Sequence, residues 1–146
     1  MKGRQGNMMI RDEHGGSLVE FAIVMPLLLL FLFGIIEMGL LLYNQAVITN
    51  ASREGARYGI VSRTPRHTEA EIRSLVRSFC DNNLLISFGT WTDPTVTATF
   101  VNGQDFGDPL LVQIQWPHRF LVLPNLPDAS LPNPLTLSAH TVMNYE

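Results

Sequence analysis

Hydrophobic positions follow three different spacings along the chain. Between Phe21 and Tyr43 they are almost continuous: no charged side chain occurs from Phe21 to Ile36, Glu37 interrupts, and Met38–Tyr43 is apolar again apart from Gly39. A bilayer core of about 30 Å needs roughly 20 apolar residues of helix, so this run is long enough to span. The helix is predicted to start near Ser17 and to continue past the membrane to about Ile60, a rod of roughly 65 Å. Pro26 sits inside it, where the missing N–H and the ring clash predict a kink or a loosened turn. Beyond Tyr43 the helical period persists, but the residues become small. Val47, Ala51, Gly55 and Gly59 recur every four positions on one face, with Arg53, Glu54 and Arg57 off it. Small residues admit close approach of another backbone, whether from this chain's own sheet or from a neighbouring helix. Packing within the chain is the simpler reading for Gly55 and Gly59.

A polar linker with Pro65 follows over Ser62–His67. Thr68-Glu69-Ala70-Glu71 has the form of a capping box, with Thr68 at the N-cap and Glu71 able to reach back to its amide. Ile72, Leu75, Val76 and Phe79 then predict a short amphipathic helix over Glu69–Cys80. Asp81-Asn82-Asn83 ends it, and Leu84–Phe88 is compatible with a short strand. From Thr95 the period becomes two. Val96, Ala98 and Phe100 line one face of a strand over Thr95–Val101; Leu110, Val112, Ile114 and Trp116 line one face of a strand over Leu110–Trp116. Asn102-Gly103 opens their connection, and Gly107-Asp108-Pro109 lengthens it beyond a two-residue turn. Arg119–Leu123 either continues this strand or re-enters the sheet after Pro117. Five prolines from Pro117 to Pro134 predict an irregular loop. Leu135–Tyr145 is the last strand, with Leu137, Ala139, Thr141, Met143 and Tyr145 on one face. The class is α+β: a long N-terminal transmembrane helix extending into a small soluble domain with a short helix and an antiparallel sheet.

The formal net charge of -3 argues against a nucleic-acid partner. A single cysteine, Cys80, precludes an internal disulfide. It falls on the apolar side of the predicted short helix and reads as buried; the alternative is a free thiol open to intermolecular pairing. Met1–His14 sets Lys2, Arg4 and Arg11 against Asp12 and Glu13 without a periodic apolar face, and reads as a disordered leader. It does not prefix a secretory signal peptide, because the apolar run is too long and Tyr43-Asn44-Gln45 leads into more helix. His67, His118 and His140 lie far apart without metal-ligand spacing. The serines lack a G-x-S-x-G elbow, and no glycine-rich phosphate loop precedes a helix. No metal, cofactor or enzymatic activity is expected. An enzymatic reading would require one of the three histidines to meet a carboxylate in the fold.

Glu20 and Glu37 are the carboxylates of the apolar segment. An ionised carboxylate is costly in hydrocarbon and persists where it has a partner or a function. Glu37, about seventeen residues after Glu20, falls near the opposite interface by the helix rise and reads as an interfacial residue. Glu20 reads either as a headgroup-level residue reaching water or as a functional one.

Gly15-Gly16-Ser17-Leu18-Val19-Glu20-Phe21 resembles the cleavage site of type IV prepilins. The continuation through Ala22–Leu28, with Phe33-Gly34-Ile35-Ile36-Glu37-Met38-Gly39, resembles the TadE-like family of the tight-adherence (Tad) pilus system. Ala51-Ser52-Arg53-Glu54-Gly55-Ala56-Arg57-Tyr58 is similar to that family's second recurrent stretch, and Leu135-Thr136-Leu137 with Val142–Glu146 to its usual ending. The resemblance is dense over residues 15–60 and thin beyond.

That resemblance implies a pilin-like pseudopilin or minor pilin. A prepilin peptidase would cut between Gly15 and Gly16, a position set by the spacing to Glu20. Residues 1–15 would be the leader peptide, 16–61 the transmembrane and extended helix, and 62–146 a periplasmic α+β domain. Glu20 would then be the fifth residue of the mature chain, recruiting the subunit to assembly and able to neutralise a neighbour's N-terminal amine; Phe21 matches the aromatic that follows it. Implied partners are the prepilin peptidase, other pilins and pseudopilins, the Tad inner-membrane assembly platform and membrane lipid. The implied location is the bacterial inner membrane, single pass, with the N-terminus cytoplasmic. Charge alone does not orient the span, because Lys2, Arg4 and Arg11 before it are matched by Arg53, Arg57 and Arg63 after it. The alternative is an uncleaved single-pass accessory subunit of a Tad-type apparatus.

Overall fold

The computed structural model describes residues 13–81, 85–88, 90–122 and 132–145. Helix α1 spans Glu13–Ile60, 48 residues or about 72 Å of helix axis. It begins a turn earlier than the expected start near Ser17; residues 1–12 of the leader lie outside the described residues. The helix is unbroken through Pro26, although the proline nitrogen cannot donate to the carbonyl one turn earlier.

Helix α2, Glu69–Asp81, starts at the predicted capping box. The Glu71 amide donates to Thr68 Oγ1 at 3.2 Å, and Glu71 Oε2 accepts from the Thr68 amide at 2.9 Å. That backbone donor is the main reason the Glu71 carboxyl is held below its ordinary value, with Arg63 adding to it. Strands β1 (Thr95–Phe100), β2 (Pro109–His118) and β3 (Leu135–Asn144) form one antiparallel sheet in the order β1-β2-β3. Val96 faces Ile114 across the first pair, and Gln113 faces His140 across the second. The β1–β2 connection is tied to the end of β3, because the Gly107 amide donates to the Tyr145 carbonyl at 2.9 Å. Gly107 has φ 87°, in the left-handed region that favours glycine.

The distal half of α1 lies across β2 and β3, and α2 packs on α1 and β1 through Ile72, Val76 and Cys80. Period-two patterning places Val96, Ala98, Val112, Ile114, Trp116 and Ala139 inside, while Thr97, Thr99, Gln115, Ser138 and His140 face outward. Ile48, Ile72 and Val76 complete the core from the helices, each fully buried aliphatic side chain contributing about 1.5–3 kcal/mol. The alternation of β2 persists beyond Trp116: His118 and Phe120 are also buried.

Two readings of the connections are resolved. Residues 119–122 leave the sheet after β2 and neither continue it nor re-enter it; Leu123 and residues 124–131 of the proline-rich segment lie outside the described residues. Residues 85–88 form no strand, because the Ile86 backbone is engaged by a side chain instead of a ladder; Leu84 lies outside the described residues.

Candidate functional site

The first part of α1 is a bare apolar rod. Leu18, Phe21, Ile23, Phe31 and Ile35 are all more than 60% exposed. The most apolar window of the helix has a mean hydropathy of 2.6 and no residue buried, long and apolar enough to cross a membrane. At its start, Gly15 and Gly16 are exposed, and a Cβ added to either would meet nothing within 4 Å. Glu20 and Phe21 project from the same exposed turns.

Further along, α1 carries a row of buried polar residues that grips the soluble domain. Glu37, Asn44 and Ser52 are separated by seven and eight residues and therefore share one face. Ser52 donates to the Thr49 carbonyl or shares its hydroxyl with Thr141 Oγ1 of β3, each at 2.8 Å. Asn44, fully buried, holds both backbone groups of Ile86: its Nδ2 donates to the carbonyl at 2.8 Å and its Oδ1 accepts the amide at 2.9 Å. This pairing fixes the orientation of the amide. Asn44 Nδ2 also faces His118 Nδ1 at 3.2 Å, so Nδ1 must accept and the proton of the neutral ring resides on Nε2. His118 is held below its ordinary value by burial, with the charge of Glu37 acting in the opposite direction.

Glu37 departs from the expectation of an interfacial residue reaching water. It is 2% exposed, and its Oε1 accepts the amides of Leu121 at 2.8 Å and Val122 at 2.5 Å. The segment after β2 folds back onto the helix and supplies donors that water would otherwise provide. The four-residue stripe does not locate this row, because extended backward from Val47 it reaches Tyr43, Gly39 and Ile35, and Tyr43 and Ile35 are exposed.

Gly55 and Gly59 lie where α1 crosses α2 and β2. A Cβ at Gly55 would collide with Val76 Cγ2 and approach Val112 Cγ1 to 3.4 Å; one at Gly59 would collide with Leu110 Cδ2 and lie 2.7 Å from Ile72 Cδ1. Cys80 is buried, and burial pushes its thiol up to about 11. The three histidines occupy separate places. His67 lies against Tyr58 with the rings tilted by 43° and its Nδ1 3.6 Å from Glu71, His118 lies beside Asn44, and His140 is exposed on β3.

Residues 15–57 match the family model of the TadE-like proteins. The TadE-like segment thus runs from the glycine pair through Gly55 and stops three residues before the end of α1. It contains both the bare rod and the buried row Glu37, Asn44 and Ser52. No curated protein and no solved structure matches the chain.

Proposed function

We propose that the chain is a TadE-like pseudopilin, or minor pilin, cut by a prepilin peptidase between Gly15 and Gly16 and taking part in assembly of a Tad-type pilus. The observation that carries this reading is the TadE-like match beginning at Gly15, with Glu20 at the fifth position after the cut. Cleavage would create an ammonium at Gly16, and a carboxylate at the membrane edge gains most from an opposite charge. Glu20 is exposed and available to the amine of a neighbouring subunit or to the assembly platform, with Phe21 beside it. The leader would occupy residues 1–15 and the periplasmic domain residues 62–146, with the leader in the cytoplasm and the span in the inner membrane. On this reading the chain is a substrate of a peptidase and a binding partner of pilins, not an enzyme.

One observation favours the uncleaved accessory subunit. The Gly15–Gly16 bond lies within the first turns of α1, whereas a protease requires an extended substrate. Two glycines reduce the cost of unwinding, each being about 1 kcal/mol less helix-favouring than alanine.

Intact mass from cells with and without the cognate peptidase decides between the two. A chain beginning at Gly16 only when the peptidase is present supports processing; a retained leader in both supports the accessory subunit. Gly15→Leu is expected to block maturation. Because a side chain at Gly15 meets no neighbour, the variant tests the peptidase and not the fold, and normal maturation would displace the assigned site. Glu20→Ala is expected to reduce pilus-associated protein while leaving membrane insertion unchanged. Unaltered incorporation would remove the recruitment role.

A further inference from the structure

The domain does not begin where the lipid-facing surface of α1 ends. Exposed apolar side chains line the helix from Leu18 to Tyr43, including Ile35, Ile36, Met38 and Leu42. Centring a hydrocarbon core of about 30 Å on that run places its far boundary near residue 40. Glu37 then lies roughly 5 Å inside. On the opposite side of the same turn sits the segment after β2, with Leu121 52% exposed and Phe120 tucked beneath the domain.

We propose that residues 119–122, pinned to Glu37, form a lipid-contacting foot that seats the soluble domain in the adjoining leaflet. Three features of the chain fit a lipid surface. The amides of Leu121 and Val122 are both satisfied by Glu37 Oε1, which irregular backbone requires at that depth. The carboxylate in turn is shielded from solvent and receives two donors, which an intramembrane acid requires. Arg119 is exposed two residues before Leu121, and its long side chain can reach phosphate headgroups while its stem stays in apolar surroundings. A fully aqueous placement would leave Leu121 in water together with Ile35, Ile36 and Met38, which flank Glu37 on the helix. The foot is continuous with the spanning surface, and it rests on α1 spanning a membrane without depending on the pilus reading.

The test is site-directed spin labelling of the full chain in phosphatidylethanolamine/phosphatidylglycerol vesicles, with nitroxides at Leu121→Cys, Ile35→Cys and Phe106→Cys. Phe106 is 86% exposed at the far end of the domain. Cys80 is buried, with its thiol pushed up to about 11, so it should remain unlabelled in the parent chain. The ratio of collisions with oxygen to those with a water-soluble nickel chelate is expected at residue 121 to approach that at residue 35. It should exceed that at residue 106 severalfold. A ratio at residue 121 equal to that at residue 106, with residue 35 still in lipid, overturns the foot and leaves the span intact. A label at residue 121 shielded from both reagents would indicate a protein neighbour, such as a second copy, and also overturns it. If residue 35 itself reads as aqueous, the spanning helix and the foot fall together.

Discussion

Asn44→Leu removes the central polar contact between α1 and the soluble domain with little change in side-chain size. Three bonding groups lose their partner: the Ile86 amide, the Ile86 carbonyl and His118 Nδ1. Ile86 is 41% exposed, so water can partly replace what its backbone loses, whereas His118 is 1% exposed and cannot be rescued in that way. Each bond contributes about 1 kcal/mol, and a group left buried without a partner costs about 1–3 kcal/mol. The sum is about 3–5 kcal/mol, a large share of the roughly 5–15 kcal/mol that a domain possesses. Gln45→Ala is the internal comparison, since its bond to the Ser138 carbonyl at 2.9 Å is exposed and should contribute about 0.5 kcal/mol. Denaturant unfolding of the detergent-solubilised full chain, followed by tryptophan fluorescence, reads the domain through fully buried Trp116 and is insensitive to helix persisting in the micelle. Asn44→Leu should lower the midpoint much further than Gln45→Ala and accelerate exchange of the Ile86 amide. Equal midpoints for the two variants would refute the buried row as the attachment of the domain.

Two further outcomes follow from the same geometry. Gly55→Ala should destabilise by about 1–3 kcal/mol through overpacking, because Val76 is short, branched and fully enclosed. Gly59→Ala should cost less, since it meets the flexible ends of Leu110 and Ile72, while the helix-propensity gain of up to about 1 kcal/mol is common to both variants; the reverse order in thermal unfolding would count against this packing. For His118, the folded state disfavours the proton relative to the unfolded value of 6.5. Its contribution is therefore complete above pH 6.5 and lost as pH falls from there through the depressed folded value, with a limiting slope of about 1.4 kcal/mol per pH unit. His118→Phe should flatten the stability profile in that window, and an unchanged slope would assign it to another group.

The elements were legible wherever one period dominated. Continuous apolarity defined the exposed apolar half of α1, the Thr68–Glu71 box marked the start of α2, and strict alternation placed the inner faces of all three strands. Local patterns carried less information where side chains act across the fold. Glu37 looks like an interfacial charge when its neighbours along the chain are considered, because its partners, Leu121 and Val122, lie some 85 residues away. The 85–88 segment has strand-like composition, yet its backbone is held by Asn44, and no spacing in that segment announces a helix-borne asparagine. His118 occupies an inward position in the β2 alternation, but the period alone does not reveal that a histidine there is neutral. Its protonation follows only from the orientation of an amide fixed by a third residue.

The placement of these polar contacts bears on how the two halves of the molecule move together. Glu37, Asn44 and Ser52 hold the domain at three levels separated in all by fifteen residues, about 22 Å of helix. A domain attached at one level could pivot on α1; one attached at three levels must follow it. The linker over 61–68 reinforces this, because it joins α1 to α2, which is itself packed on α1 through Gly55 and Gly59. Axial movement of α1 therefore carries the sheet and the 119–122 segment with it. Glu37 has the decisive position, since it stands where the exposed apolar surface of the helix and the domain overlap. Loss of its carboxylate would free the amides of Leu121 and Val122, and the lower edge of the domain would lose its hold on α1. The same residue that interrupts the apolar run in the sequence joins the exposed apolar half of α1 to the folded domain.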